Sequence, residues 1–462
     1  MTLSINGTLF IARKGMMAQQ VALAITGQNI TNVNTEAYTR RAAVLTAAAN
    51  NGGVEVTGFK RYVDEFSNRR LVAENGVLGH ADEKQTVLAQ VGDLFNDLED
   101  TGLGTALDDF FGSLTLLESS PDDLTVRQQV LAYGANVAAT FNRMSSELTE
   151  VKRGVDDLLR ASVSEINRCS DQIASLNKDI RLGVAESQDV SDLEDQRDQL
   201  IQQMSKQADV SYIVNDDHTV AVYLEGGMPL VDGTNVSHLE VSTSAAPGAA
   251  PINYVSSNGA VSDVTSTIKG GALGGALEAR DVDVPAYLAE LDQLAYDFST
   301  AVNAQHQAGY GLDGVGSRNF FDPLATATGA AATLSISADV DGDPYAIAAA
   351  TDPAGVPGDN TNAIALSQLA DQLVAKGGTM TVGEAYATIV GEVGVSIQTA
   401  TDSVSMRKST ISSIETIRDS QAGVSLDEEL TNMIAFQRAY QASSRVVSTV
   451  DELLKTVIGM GA

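Results

Sequence analysis

Few residues in this 462-residue chain are of types that perform chemistry, and their spacing argues against catalysis. The four histidines, His80, His218, His238 and His306, are scattered. None forms the His-Glu-x-x-His pair that sets two imidazoles on one helical face around a metal. They read as single surface or turn histidines. Gly270-Gly271-Ala272-Leu273-Gly274-Gly275 lacks the Gly-Lys-Ser/Thr ending of a phosphate loop and the spacing of a dinucleotide fingerprint, so it reads as a loop entering a helix. Asp339-Val340-Asp341-Gly342-Asp343 resembles the opening of a calcium loop, since spaced carboxylates can converge on a hard cation. Its glycine stands fourth instead of sixth, and Ala350 fills the twelfth position where a glutamate belongs, so an acidic surface turn is expected. No serine nucleophile elbow or paired-carboxylate motif stands out. The expectation is a protein that is not an enzyme and carries no metal or cofactor.

Composition narrows the class further. Lys plus Arg total 29 and Asp plus Glu 60, a formal charge of −31 that repels DNA, RNA and anionic lipid. Tryptophan is absent and aromatics make up 5%, which removes the stacking platforms of single-strand binders; nucleic acid is not an expected partner. A 44% hydrophobic content suits a folded soluble chain long enough for two to four domains. No apolar run approaches a membrane span, so no membrane insertion is expected. The lone cysteine, Cys169, excludes an intramolecular disulfide framework and a cysteine-cluster metal site. It falls in the series Val155, Leu159, Ser162, Ile166, Cys169, Ile173, Leu176, Ile180 and reads as a buried, unreactive thiol. Residues 1–35 hold Arg13 and Lys14 and no acid, which suits an uncleaved export address as well as a helix whose faces happen to lack acids.

The elements that frame these residues are mostly helical. All nine prolines lie between Pro121 and Pro357, so both flanks can hold uninterrupted helices. Asn50-Asn51-Gly52-Gly53 reads as a turn into a short strand carrying Val54, Val56 and Phe59. Helical patterns run from about Glu65 to Glu99, Leu107 to Leu117, Leu124 to Leu182 and Val190 to Gln207, with a break at Pro121-Asp122-Asp123. Alternation at Val210, Tyr212, Val214 and at Val220, Val222, Leu224 around Asn215-Asp216-Asp217 signals a hairpin. A small β region continues through the stretch from Ala245 to Pro251 to about Ile268. Helix returns from Leu273 past Val302, Thr333 to Ser337 is a candidate strand, and helices resume at Asn362. The expected fold is mainly α with a smaller β domain, an elongated multi-domain chain whose ends meet. The expected units are a terminal coiled-coil core (1–60 and 420–462), a helical bundle (61–209, 271–310 and 360–419) and a β-rich outer domain (210–270 and 311–359).

The two ends match in kind. Ile5, Leu9, Ala12, Met16, Gln19, Leu23, Thr26 and Ile30 alternate in steps of four and three, the seam of a coiled coil. Leu426, Leu430, Met433, Gln437, Tyr440, Ser444, Val447, Asp451, Leu454 and Ile458 follow the same rule in the last 39 residues. A helix about 50 Å long gains little from propensity alone, and the other terminus is the nearest partner. Polar seam positions such as Gln19, Gln437 and Asp451 would keep the pairing marginal and adaptable. Ile5, Leu9, Met16, Leu23, Ile30, Leu426, Leu430, Met433, Tyr440, Val447, Leu454 and Ile458 are therefore the expected assembly surfaces.

Asn29-Ile30-Thr31-Asn32 through Tyr38 resembles the N-terminal motif shared by bacterial flagellar rod, hook and junction proteins, and Thr39-Arg40 resembles the junction branch. Asp195-Gln196-Arg197-Asp198 with Leu200, Val220 to Tyr223 and Pro229 to Gly233 resemble the middle of the flagellar hook-associated protein 1 family. So do Gly270-Gly271 to Arg280-Asp281, Asn303 to Phe321, and Gly358-Asp359-Asn360 with Ala363 and Leu366. The likeness covers nearly the whole chain. It implies a tube-forming junction subunit between hook and filament, with paired terminal helices lining the inner wall and outer domains facing solvent. It also implies export through the flagellar type III export channel to the extracellular flagellum. The implied partners are further copies in a tubular layer, the hook protein, the second junction protein, the export apparatus and an export chaperone at the C-terminal helix. Ends that order only on assembly would avoid premature polymerisation. Asn29, Asn32 and Tyr38 are expected to form the turn from core to outer domain, a role compatible with simple helix capping. Met16-Met17 stands where the family more often has Gly-Leu, Ala37 where glycine is common, Cys169 is unusual for an exported axial protein, and the β middle is short. Alternatives are the hook protein, the second junction protein, a surface adhesin, or a secreted enzyme with its active site in the β middle.

Overall fold

The computed structural model describes residues 5–35, 38–49, 52–96, 102–244 and 248–460. Residues 1–4, Glu36-Ala37 of the N-terminal motif, Asn50-Asn51 of the expected turn and residues 245–247 of the β-region stretch lie outside the described residues. The chain opens with helix α1 (Ile5–Thr31), then a hairpin of β1 (Arg41–Ala47) and antiparallel β2 (Val54–Arg61). Helices α2 (Glu65–Leu94), α3 (Leu103–Ser119), α4 (Leu124–Ala185) and α5 (Ser191–Gln207) follow. Asp64 and Asp123 cap α2 and α4 by accepting from N–H groups of the first turn, which fixes where these helices start. At 62 residues α4 is about 90 Å long, and it gives the molecule its elongated form.

Two small antiparallel sheets come next. One has the order β3 (Val210–Val214), β4 (Val220–Leu224), β5 (Met228–Asp232), β6 (Asn235–Val236), and the other β7 (His238–Val241), β8 (Ile252–Val255), β9 (Val261–Asp263). The expected hairpin pairs Val210 with Leu224 and Val214 with Val220. Helix α6 (Gly271–Glu278) passes through a π turn at Ala279–Asp283 into α7 (Val284–Gln307). Pro285 in the first turn of α7 has no N–H to give, which suits a break in the regular ladder. A loop-rich segment with the short α8 (Ala330–Thr333) leads to α9 (Thr361–Ser367), α10 (Val382–Ala422) and α11 (Leu426–Met460). The candidate strand from Thr333 to Ser337 is not one: its start ends α8, and only Ile336 makes an isolated bridge, to Phe321.

Two apolar cores lie along α4. The first gathers Phe110, Phe141, Phe298, Phe320, Phe321, Leu334 and Tyr386. The second gathers Val155, Leu159, Ile166, Cys169, Val222, Leu230 and Leu273. Residues 311–359 were expected beside 210–270, yet Phe320, Phe321, Leu334 and Ile347 sit in the first core while the sheets belong to the second. The physical reason is that the segment forms no ladder of its own, so its buried side chains, Phe320 and Phe321 among them, pack with the helices. The glycine run is a packing device. A Cβ on Gly271, at φ +67°, would lie 2.3 Å from the Ala208 Cα, and one on Gly275 would lie 2.2 Å from the His80 carbonyl oxygen.

The terminal helices pair antiparallel: Gly15 faces Ser443, and Asn29 meets Glu429. The other side of α1 lies on the β1–β2 hairpin, where Ile11 meets Gly53 and Lys14 binds Glu55. On α11 the covered stripe is Glu429, Met433, Phe436, Tyr440, Ser443, Val447, Val450 and Leu454, again in steps of four and three. It shares Met433, Tyr440, Val447 and Leu454 with the expected seam, and Ser444 is half-buried beside Ser443, but Leu430, Gln437 and Asp451 give way to their preceding neighbours. A heptad stripe has two neighbouring phases, and the helix turned toward the one that keeps Gln437 and Asp451 in water.

Candidate functional site

The joint where the two ends meet the body holds a dense polar network, and Asn29 is its centre. This side chain is 1% exposed and uses all of its hydrogen-bonding capacity. Its Nδ2 donates to the Arg41 carbonyl (2.8 Å) and to Glu429 Oε2 (3.0 Å), while its Oδ1 accepts from the Tyr38 hydroxyl (2.8 Å) and the Arg41 N–H (3.1 Å). One amide thus ties α1, the following turn, β1 and α11 together. Burial holds the Tyr38 phenol above its ordinary value, against the pull of Arg41, so it stays a donor. Asn32 serves locally: it donates to the Gln28 carbonyl and accepts from Thr35, closing the end of α1.

Three arginines extend the network. Arg40 binds Glu429 (2.8 Å) and Glu428 (3.0 Å) on α11 and stacks over the Tyr62 ring. Arg41 stacks over Tyr38 and reaches the body, binding Asp195 (2.8 Å) and Asp192 (2.5 Å) on α5. Arg61, on β2, binds Asp195, Asp198 (2.9 Å) and Glu194 (3.2 Å). Burial pushes the Arg61 guanidinium down, but Asp198, Asp195 and Glu194 outweigh it and hold the charge above its ordinary value. Thr39 donates its backbone N–H to Asp195 (3.3 Å). Such charge-assisted, partly buried pairs fix geometry and suit a joint.

The expected motif residues Asn29, Tyr38, Thr39 and Arg40 converge here; Asn32 does not join them. Of the expected assembly surfaces, Met433, Tyr440, Val447 and Leu454 lie in the helix pair, and Leu9, Met16, Leu23 and Ile30 are half-buried along α1. Ile5, Leu426, Leu430 and Ile458 stand exposed at 38%, 45%, 48% and 70%. Sequence reading missed Glu429, Arg41, Arg61 and Asp192. A charge count could have found the last three: residues 1–62 hold six Lys/Arg and two Asp/Glu, while 189–198 hold five Asp/Glu and one Arg.

The other chemically able residues serve structure. Asp339 accepts from the Asn319 N–H and Asp343 from the Tyr345 N–H; among the described residues no group of three His, Cys, Asp or Glu is placed to hold a metal ion. His80, His218 and His238 pair with Glu278, Glu194 and Asp171. His306 departs from expectation, being fully buried: Nδ1 donates to the Arg318 carbonyl and Nε2 accepts from the Ala348 N–H. Cys169 is fully buried, and burial pushes its thiol up to about 11. Among the described residues no helix is long and apolar enough to cross a membrane.

Comparison with known proteins places this geometry. Residues 88–321 match the family described as flagellar hook-associated protein FlgK helical domain. Residues 9–39 match flagella basal body rod protein, and 419–460 match flagellar basal body rod FlgEFG protein C-terminal, so the two matches fall on the paired ends. Flagellar hook-associated protein 1 of Bacillus subtilis (strain 168) is 32% identical over 97% of both chains. The protein of that name in Escherichia coli (strain K12) is 26% identical over 97% of this chain and 98% of its own. The flagellar hook junction protein FlgK from Burkholderia pseudomallei shares the fold with a TM-score of 0.67 at 18% identity, over 76% of this chain and all of that one.

Proposed function

The chain belongs to the flagellar hook-associated protein 1 family, and we propose that its paired ends polymerise into the tubular layer joining hook to filament. It is a structural component of the bacterial flagellum, exported outside the cell, and acts at the hook–filament junction in filament assembly. The observation that carries the reading of the ends is the single antiparallel pair of α1 and α11, closed by Asn29 and Glu429, with apolar residues left uncovered on its flanks. Leu426, Leu430, Val457 and Ile458 lie outside the pair's own seam and supply surface for neighbouring copies. In this reading the neighbours above and below are the hook protein and the second junction protein, an export chaperone covers α11 before export, and the chain has no catalytic task. The terminal unit (5–62 with 426–460) is the assembling part and the rest the outer body.

Substitution separates the two surfaces. Leu430→Asp should leave the helix pair intact while lowering chaperone capture and incorporation, whereas Tyr440→Asp should loosen the pair itself. Copurification with the chaperone and immunolabelling of hook tips check both. Wild-type capture and incorporation in both variants would remove the proposed role of the ends.

A further inference from the structure

The terminal unit and the outer body share almost no apolar packing: neither core contains a described residue from 5–62 or 426–460. Apart from the covalent links at 62–64 and 423–425, what holds them is charge. Asp192, Asp195 and Asp198 stand three residues apart on α5, rungs about 4.5 Å apart along the helix axis. Arg41 spans the first two rungs, and Arg61 spans the last two with Glu194 alongside. Asp195 alone serves both arginines and also accepts from the Thr39 N–H.

Exposure separates the rungs. The side chains of Arg41, Arg61 and Asp195 are 3%, 12% and 11% exposed, while Asp192 is 76% and Asp198 27% exposed. Salt and water therefore compete for the outer rungs and reach the middle one poorly. Both arginines also keep a buried Nε without a hydrogen-bond partner, so each has a donor in reserve.

We propose that this joint is an ionic hinge pinned at Asp195, in which Arg41 and Arg61 exchange partners on the outer rungs so that the terminal unit tilts against the body without opening an apolar core. A junction subunit built this way accommodates a change of angle between its inner and outer parts by remaking the Asp192 and Asp198 pairs, while Asp195 and the equally buried Glu194 keep hold of Arg61. The inference goes beyond the junction role and does not depend on it, because its readout is a distance within the free chain.

The test is double electron–electron resonance on the full chain, with Cys169→Ala removing the native thiol. One spin-label pair, Thr57→Cys with Lys178→Cys, crosses the joint; a second, Gln20→Cys with Thr57→Cys, lies inside the terminal unit. In the parent the internal pair should be narrow and the pair across the joint wider, as partner exchange on the outer rungs requires. Asp195→Asn should broaden the pair across the joint and leave the internal pair narrow. A joint of unchanged width after Asp195→Asn, or a parent joint no wider than the internal pair, overturns the hinge. Should Asp195→Asn loosen the internal pair as well, Asp192→Asn with Asp198→Asn decides: it spares the pin, so the distribution must widen about an unchanged mean, and an unchanged width overturns the proposal.

Discussion

Asn29 holds this joint together, because four backbone and side-chain groups from three segments depend on one amide. Asn29→Ala would leave the Arg41 N–H and a carboxylate oxygen of Glu429 short of partners in a buried place, at about 2–3 kcal/mol. The expected outcome is loss of the near-ultraviolet signal of Tyr38 and earlier melting of the terminal unit, with the body's transition unmoved. His306 governs acid stability on the other side of the molecule. Burial lowers its pKa from the ordinary 6.5 to about 4, so the unfolded chain takes up this proton first as pH falls. Stability from this group is complete above about 6.5, declines as pH drops, and is lost by about 4, a total of about 3 kcal/mol. Urea midpoints between pH 7 and pH 4 should fall less steeply in His306→Gln than in the parent; parallel slopes would contradict the assignment. Cys169, fully buried with a raised thiol, should react with a soluble disulfide reagent only after denaturant is added. The sequence marked Asn29, Tyr38 and the inert cysteine through resemblance and periodicity. It could not pair Asn29 with Glu429 or Arg61 with Asp195, which lie 400 and 134 residues apart.

At the scale of elements, long periodic helices were the most legible feature. The helix expected from Leu124 to Leu182 is α4, Leu124–Ala185, and the one expected from Val190 to Gln207 is α5, Ser191–Gln207. Period was read correctly where phase was not. On α4 the buried series takes Val163 and Asn177 in place of Ser162 and Leu176, just as α11 takes Phe436 and Val450 in place of Gln437 and Asp451. Phase depends on what the facing element offers. Asn177, for instance, is buried because it bonds the Val220 N–H and carbonyl and the Gly233 carbonyl, a contact no local pattern contains. The observed phase makes its own prediction: Phe436→Asp should dissociate the α1–α11 pair, as judged by loss of helical circular dichroism in the full chain, and Gln437→Asp should not. Equal effects from both would mean that α11 is turned differently.

At the scale of the whole molecule, charge is segregated along the chain. Residues 63–419 hold 53 Asp/Glu and 20 Lys/Arg, whereas the two ends together hold seven and nine, so nearly all of the negative charge belongs to the outer body. Bodies of like charge repel one another while nearly neutral ends can approach, so charge favours association through the ends in the proposed tubular layer. The proposal that this chain joins hook to filament through those ends has a direct test. The most direct measurement is deletion of the gene, with electron microscopy of the cells and an assay for flagellin in the medium. Complete hooks without filaments and flagellin lost to the medium are the expected result, with filaments restored by the intact chain but not by one lacking residues 426–460. Normal filaments in the deletion strain would contradict it.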